Sequence, residues 1–200
     1  MYLVDIICHG VPSPDVFKGF VNWLSEKYKS GLKEYKFRSK SVAWRGNSCV
    51  ATFKNGKELT NDRYASAYMN VYYSGNITRK CCYGCLFTNI KRISDITVSD
   101  FWGIENLSPE FEDRLGVSMV MVNTVKGETL FGLTEGQKIN GDINSAKQPQ
   151  LFHPCERPSG RERFWELYKK KGVAACLKEY GGIGGGLKSK IKRLFGIRNK

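Results

Sequence analysis

The chain has 200 residues, of which 41% are hydrophobic and 12% aromatic, and it carries a formal net charge of +13. This composition excludes an intrinsically disordered protein, because enough apolar surface is present for a sizeable core. No apolar run is long enough for a membrane-spanning helix, and the start, MYLVDIICHG, lacks the features of a signal peptide. We therefore expect a cytoplasmic globular protein.

The first predicted elements are a strand at residues 2–7 and a helix that begins after Ser13. The apolar run YLVDII indicates a strand buried on both faces. Ser13 is a favourable N-cap with proline next to it, and Gly31 is expected to end the helix. Cys8 then lies in the loop between them, at the carboxyl end of the strand. Open α/β sheets bind ligands at this position.

The middle of the chain predicts three strands and one helix, at residues 34–39, 48–53, 57–60 and 63–73. The Asn55-Gly56 pair between the second and third strands predicts a β-hairpin with a type I′ turn. Gly75 is expected to end the helix.

The second half predicts two further strands and three helices, at residues 95–104, 116–124, 126–133, 160–172 and 173–182. This order of elements predicts a mixed α/β fold, in which a central sheet carries packed helices and an inserted β-hairpin. Residues 1–180 are expected to form the domain.

Residues 181–200 are predicted to be a Gly-rich linker and a basic tail. Six basic residues and no acidic residue lie between Lys188 and Lys200. On an anionic membrane surface this pattern favours a weakly bound amphipathic helix. A purely solubilising tail fits the same residues. We expect no specific binding to nucleic acid.

The seven cysteines are odd in number and no export signal precedes them, which disfavours a disulfide framework. Cys49 and Cys176 lie in apolar segments and are predicted to be buried in the core. Cys82 and Cys85 form a C-x-x-C, whose thiolates can bind one metal ion or iron atoms of a cluster. A redox-active thiol pair remains an alternative, although such pairs usually open a helix after a strand, and this one precedes a strand.

Charged residues flank this motif on both sides. The four cations, Arg79, Lys80, Lys91 and Arg92, would stabilise an anionic cluster, or they are ordinary solvated side chains. Asp95 and Asp100 bracket the next predicted strand. We expect these carboxylates to form capping and turn hydrogen bonds rather than to act in catalysis.

Five segments together resemble one protein family: VDIICHGVPSPDVF, EYKFRSK with Trp44 after it, CCYGCLFTNIKRISDITVSDFWGI, GVSMVMVNTVKGETLF and RERFWELYKKKG. They are similar, in the same order, to the carboxyl-terminal part of the beta subunit of the coenzyme F-420 (deazaflavin) hydrogenase/dehydrogenase family. Its bacterial iron–sulfur oxidoreductase-like branch is the most similar. The likeness covers roughly residues 3–180.

The resemblance implies an electron-transfer domain of an iron–sulfur flavoprotein oxidoreductase. Cys8, Cys82 and Cys85 would bind a 4Fe-4S cluster, which exchanges single electrons with FAD, and FAD would serve a deazaflavin or another acceptor. The implied partner is a ferredoxin-like module, which precedes this region in relatives, or another electron-transfer protein.

Two departures from the family pattern bear on the flavin. The upstream ferredoxin module and a Gly-Thr-Pro-Cys segment are not in this sequence, and Ser99 stands where many relatives have glycine. We therefore expect weak FAD binding or none. The alternative function is that of a non-catalytic basic binding module, or a degenerate fragment, that docks on an acidic partner or membrane surface.

Overall fold

The computed structural model describes residues 1–40, 44 and 48–184, and the predicted basic tail lies outside them. The chain divides into two compact units. The cysteine unit comprises Met1–Val11 and Lys80–Glu156, and the helical unit comprises the described residues of Pro12–Arg79 and of 157–184.

The strands and helices of the described residues are, in chain order, β1 (Val4–Ile6), α1 (Pro14–Tyr28), β2 (Leu32–Lys36), β3 (Val50–Phe53), β4 (Glu58–Thr60), α2 (Arg63–Tyr73), β5 (Ile96–Asp100), α3 (Ile104–Leu107), β6 (Ser118–Val122), α4 (Val125–Gly132) and α5 (Arg161–Tyr180). They confirm the predicted mixed α/β class. The strands form two three-stranded sheets, β1-β5-β6 and β2-β3-β4. No helix in the described ranges combines the length and the apolar character needed to cross a bilayer.

The sheet of the cysteine unit is mixed. Strand β1 pairs parallel with β5, and β5 pairs antiparallel with β6. The prediction that the first strand is buried on both faces is wrong, because Val4 and Ile6 are 55% and 62% exposed. These two residues point to one face of an edge strand. Within the described residues, that face of β1 is left open to solvent.

This unit has its own apolar core. Phe101, Ile104 and Leu151 are its buried centre.

Helix α4 approaches β5 closely at Gly127, where a Cβ atom would lie 2.1 Å from the carbonyl oxygen of Asp95. The helix therefore requires glycine at this position.

The helical unit packs α1, α2 and α5 with the antiparallel sheet β2-β3-β4 around a largely aromatic core. Phe20, Phe53 and Phe164 are at most 1% exposed. Cys49 and Cys176 are fully buried in this core, which confirms their prediction as packing residues. Burial raises the pKa of the Cys176 thiol to about 11.

The predicted hairpin forms from β3 and β4, but its turn is not type I′. Of the described non-glycine residues only Lys29 and Asn61 have positive φ, whereas a type I′ turn needs positive φ at both central residues. Gly56 has φ 83° and donates its N–H to the carbonyl of Phe53. This is the pattern of a type I turn followed by a G1 bulge.

Helix ends follow the predicted signals in most cases. Helix α1 begins at Pro14 as predicted, but its last residue is Tyr28. Lys29, rather than Gly31, caps it in the left-handed conformation. The two predicted late helices appear as the two halves of α5, which are separated at Gly172 with φ 70°. Gly181, in the predicted linker, is buried at the end of α5, and its carbonyl accepts a hydrogen bond from Asn70.

Candidate functional site

The candidate site lies at the carboxyl edge of the sheet in the cysteine unit. Because β1 and β5 run parallel, both strands end at this edge. The pairing extends one residue beyond β1, through a 3.1 Å hydrogen bond from the Ile7 N–H to the Val98 carbonyl. Cys8, the next residue, therefore leaves the sheet at its carboxyl edge, as the sequence predicts. Its side chain is exposed.

The first three residues of the C-x-x-C motif lie in a short 3₁₀ turn, Lys80–Gly84, and Cys85 follows the turn directly. The N–H of Val11 donates to Sγ of Cys82 at 3.4 Å. The loop that follows Cys8 is thereby joined to the motif.

Arg92 connects the segment after the motif to the end of β1. Its side chain is only 4% exposed, and Nη2 lies 3.0 Å from Oδ2 of Asp5. Nη2 also donates to the carbonyl of Ile6 at 3.1 Å, and Nη1 donates to the carbonyls of Phe87 and Asn89. Arg92 therefore joins the segment after the motif to the end of β1. From the sequence, only two roles were expected for it: to stabilise an anionic cluster, or to be an ordinary solvated side chain.

A fourth thiol joins the group from the far end of the unit. Sγ of Cys155 lies 3.5 Å from the carbonyl oxygen of Cys82, across 73 residues of sequence. The segment that leads to Cys155 is fixed at the same sheet edge, because Nε2 of Gln148 donates to the carbonyl of Asp100 at 2.5 Å. Leu151, in between, is fully buried. Sequence reasoning did not assign Cys155, since no local motif surrounds it.

The thiols of this group influence one another electrostatically. Burial raises the pKa of Cys82, and the charges of Cys81 and Cys8 raise it further, against the lowering effect of the Val11 N–H. Burial also raises the pKa of Cys155, and the charges of Cys82, Cys8 and Cys85 add to this. Five cysteines thus share one neighbourhood: Cys8, Cys81, Cys82, Cys85 and Cys155. We call four of them, Cys8, Cys82, Cys85 and Cys155, the cysteine group.

The donors of this site are thiols. All seven cysteines lie within the described residues, and all are unpaired thiols. Among residues 1–40, 44 and 48–184, no three His, Cys, Asp or Glu side chains are placed to hold one metal ion. Four thiolates are the donor set of a 4Fe-4S cluster and also of a structural zinc site. The chemistry of the cysteine group therefore fits a cluster, with zinc as the alternative.

Asp95 has the structural role that the sequence indicates. Its carboxylate accepts hydrogen bonds from the Leu3 N–H at 2.9 Å and the Thr124 hydroxyl at 2.6 Å, and Lys126 lies 3.2 Å away. The Thr124 and Leu3 hydrogen bonds, with Lys126, lower the pKa of Asp95. The carboxylate joins the residues before β1 to the start of α4.

Ser99 and a large groove bear on flavin binding. The Ser99 hydroxyl donates to the Asp100 carbonyl and accepts from Gln148, so it is part of the anchored segment. The groove, also in the cysteine unit, has a volume of about 960 Å³ and includes Val98 and Met121 among its apolar lining. Its charged lining residues are five acids and one lysine: Glu110, Glu112, Asp113, Glu135, Asp142 and Lys138. The pyrophosphate of FAD is anionic, so the acidic lining of this groove disfavours FAD.

A mixed α/β fold with cysteines gathered at a strand edge is typical of cofactor-binding redox proteins. The family described as the C terminus of the beta subunit of coenzyme F420 hydrogenase/dehydrogenase matches residues 1–141. The chain belongs to this family, which confirms the resemblance seen in the sequence. The family relates it to oxidoreductases and implies redox cofactors. Comparison with proteins of curated function and with solved structures gave no match.

Proposed function

We propose that the chain is an electron-transfer domain of an iron–sulfur flavoprotein oxidoreductase, with a 4Fe-4S cluster bound by Cys8, Cys82 and Cys85. The observation that carries the proposal is the approach of the strand-end loop to the C-x-x-C motif, through the Val11 N–H and the Cys82 sulfur. Membership of the family supports a redox role.

Each part of the site has a separate task in this proposal. When bound, a 4Fe-4S cluster accepts and releases single electrons. The thiolates hold it, and the Val11 N–H lowers the negative charge at the Cys82 sulfur, which favours the reduced state. Arg92 keeps the loop of the motif against the end of β1, where Cys8 emerges.

When bound, such a cluster would exchange electrons with a flavin or deazaflavin. The acidic lining of the groove and the side chain of Ser99 support weak FAD binding by this chain alone. Titration of the protein with FAD, followed by flavin fluorescence, tests this point. Stoichiometric FAD in the purified chain would contradict it.

The partner in electron transfer is an acidic protein that docks beside the C-x-x-C motif. The segment after the motif exposes large apolar side chains, with Leu86 86%, Phe87 64% and Ile93 81% exposed. Lys91, also exposed, adds positive charge to this surface. Apolar contact beside complementary charge is typical of transient redox complexes at the small end of interface size. We propose that this electron transfer takes place in the cytoplasm.

The cluster is tested by anaerobic purification and assay of iron and acid-labile sulfide. We expect Cys82→Ser and Cys85→Ser each to lose most of the iron, because the remaining thiolates cannot close the coordination. Cys49→Ala and Cys176→Ala are matched controls, since both thiols lie in the core of the helical unit. Unchanged iron in both motif variants, or zinc in place of iron, would refute the proposal.

A further inference from the structure

We infer that Cys155 is the fourth protein ligand of the proposed cluster, rather than Cys81, which is adjacent to the motif. The inference rests on the proposed function, and it adds a ligand from beyond residues 1–141, the part matched by the family. The juxtaposition that carries it is the approach of Cys155 to Cys82.

The first argument is position. The thiol of Cys155 lies 3.5 Å from the carbonyl oxygen of Cys82. The Cys82 sulfur in turn lies 3.4 Å from the main chain of Val11, three residues after Cys8. The chain therefore reaches Cys82 from two directions, the end of β1 and the segment before Cys155. Cys155 and Cys8 approach the motif from outside the turn that carries it.

The second argument is anchoring. A ligand must be held in place by its own segment if the cluster is to form without large rearrangement. Gln148 binds the carbonyl of Asp100 at the end of β5, and Leu151 is fully buried in the core of the unit. The His153 N–H closes the turn onto the carbonyl of Pro149 at 3.1 Å. Cys155 follows this turn by two residues, so its distance from the sheet edge is fixed.

The third argument concerns Cys81. The two segments that reach the turn from outside make their hydrogen bonds to Cys82. The Val11 N–H donates to the Cys82 sulfur, and the Cys155 thiol lies 3.5 Å from the Cys82 carbonyl oxygen. Cys81 and Cys8 are exposed, whereas Cys82, Cys85 and Cys155 are partly buried. Cys81 is therefore the matched control for Cys155, being a thiol next to the cluster that does not bind it.

The first test is the iron content and spectrum of Cys155→Ser and Cys81→Ser, purified anaerobically as full chains. Wild-type protein without iron would overturn the proposed function itself. Given iron in the wild type, we expect Cys155→Ser to lose most of it, as Cys82→Ser does, because one iron of the cluster then lacks its thiolate. Cys81→Ser should match the wild type. The reverse pattern would overturn the assignment.

The second test needs no variant, so it remains decisive if Cys155→Ser fails to fold. Wild-type protein is alkylated with iodoacetamide before and after removal of iron by a chelator, and the labelled peptides are quantified by mass spectrometry. We expect iron to protect Cys155 at least tenfold, together with Cys8, Cys82 and Cys85, while Cys81 reacts in both states. Equal labelling of Cys155 in both states would refute its role as a ligand.

Discussion

Replacement of Arg92 by alanine tests how the cysteine unit holds its site together. The guanidinium of Arg92 bonds to the carbonyls of Ile6, Phe87 and Asn89 and forms an ion pair with Asp5. Alanine leaves these acceptors without their buried donor. The segment after the C-x-x-C motif is then no longer tied to the end of β1.

The loss of stability expected for Arg92→Ala follows from the burial of its ion pair with Asp5. Removal of one partner of a buried ion pair costs about 3–5 kcal/mol. The Asp5 side chain is 32% exposed, so water compensates part of its charge, and we expect the lower end, about 3 kcal/mol. If the free energy of unfolding falls by about 2 kcal/mol per molar urea, a loss of about 3 kcal/mol lowers the urea midpoint of unfolding by about 1.5 M.

The assay is urea unfolding followed by circular dichroism, with iron content measured on the same preparations. Arg92→Lys retains the charge, but an ammonium group cannot donate to several carbonyls in one plane as a guanidinium does. The free energy of unfolding should therefore fall by about 1–2 kcal/mol. Lys91→Ala is the matched control, because this exposed neighbour should change stability by less than about 0.5 kcal/mol. If Arg92→Ala costs no more than Lys91→Ala, the structural role of Arg92 is wrong.

Two further predictions concern α4 and its contact with β5. Gly127→Ala should destabilise the protein by about 1–3 kcal/mol in thermal unfolding, because the new Cβ atom meets the Asp95 carbonyl. Gly132→Ala is the control in the same helix. Its Cβ atom meets no other atom, so the substitution should be neutral or stabilising by up to about 1 kcal/mol. Equal effects of the two substitutions would exclude the close contact. The pKa of Asp95 is lowered in the folded protein, so its contribution to stability is present above the unfolded value of about 3.9 and is lost as the pH falls through the folded pKa. Asp95→Asn should therefore flatten the fall in stability between about pH 5 and pH 2, measured by urea unfolding at several pH values, and an unaltered pH profile would contradict this.

Local signals in the sequence account for most of the elements and for three of the four members of the cysteine group. Pro14 marks the start of α1, and Gly172 separates the two late helices as predicted. Cys8 could be placed at a strand end because the apolar run before it ends there. The C-x-x-C spacing likewise marks its own turn, since only local geometry is involved.

The parts that escaped prediction depend on contacts between distant residues. Cys155 reaches Cys82 across 73 residues, and Arg92 reaches Ile6 across 86. No periodicity or local motif encodes such pairings. The exposure of β1 was missed for a related reason, because an apolar run shows that a strand forms but not whether it lies at the centre or the edge of its sheet.

The most direct test of the proposed cluster is spectroscopy of the wild-type chain, purified without oxygen and reduced with dithionite. We expect about four irons and four acid-labile sulfides per chain and the paramagnetic resonance signal of a reduced 4Fe-4S cluster. A chain that contains zinc, or neither iron nor sulfide after anaerobic reconstitution, would contradict the proposal and leave the non-catalytic binding module as the better description.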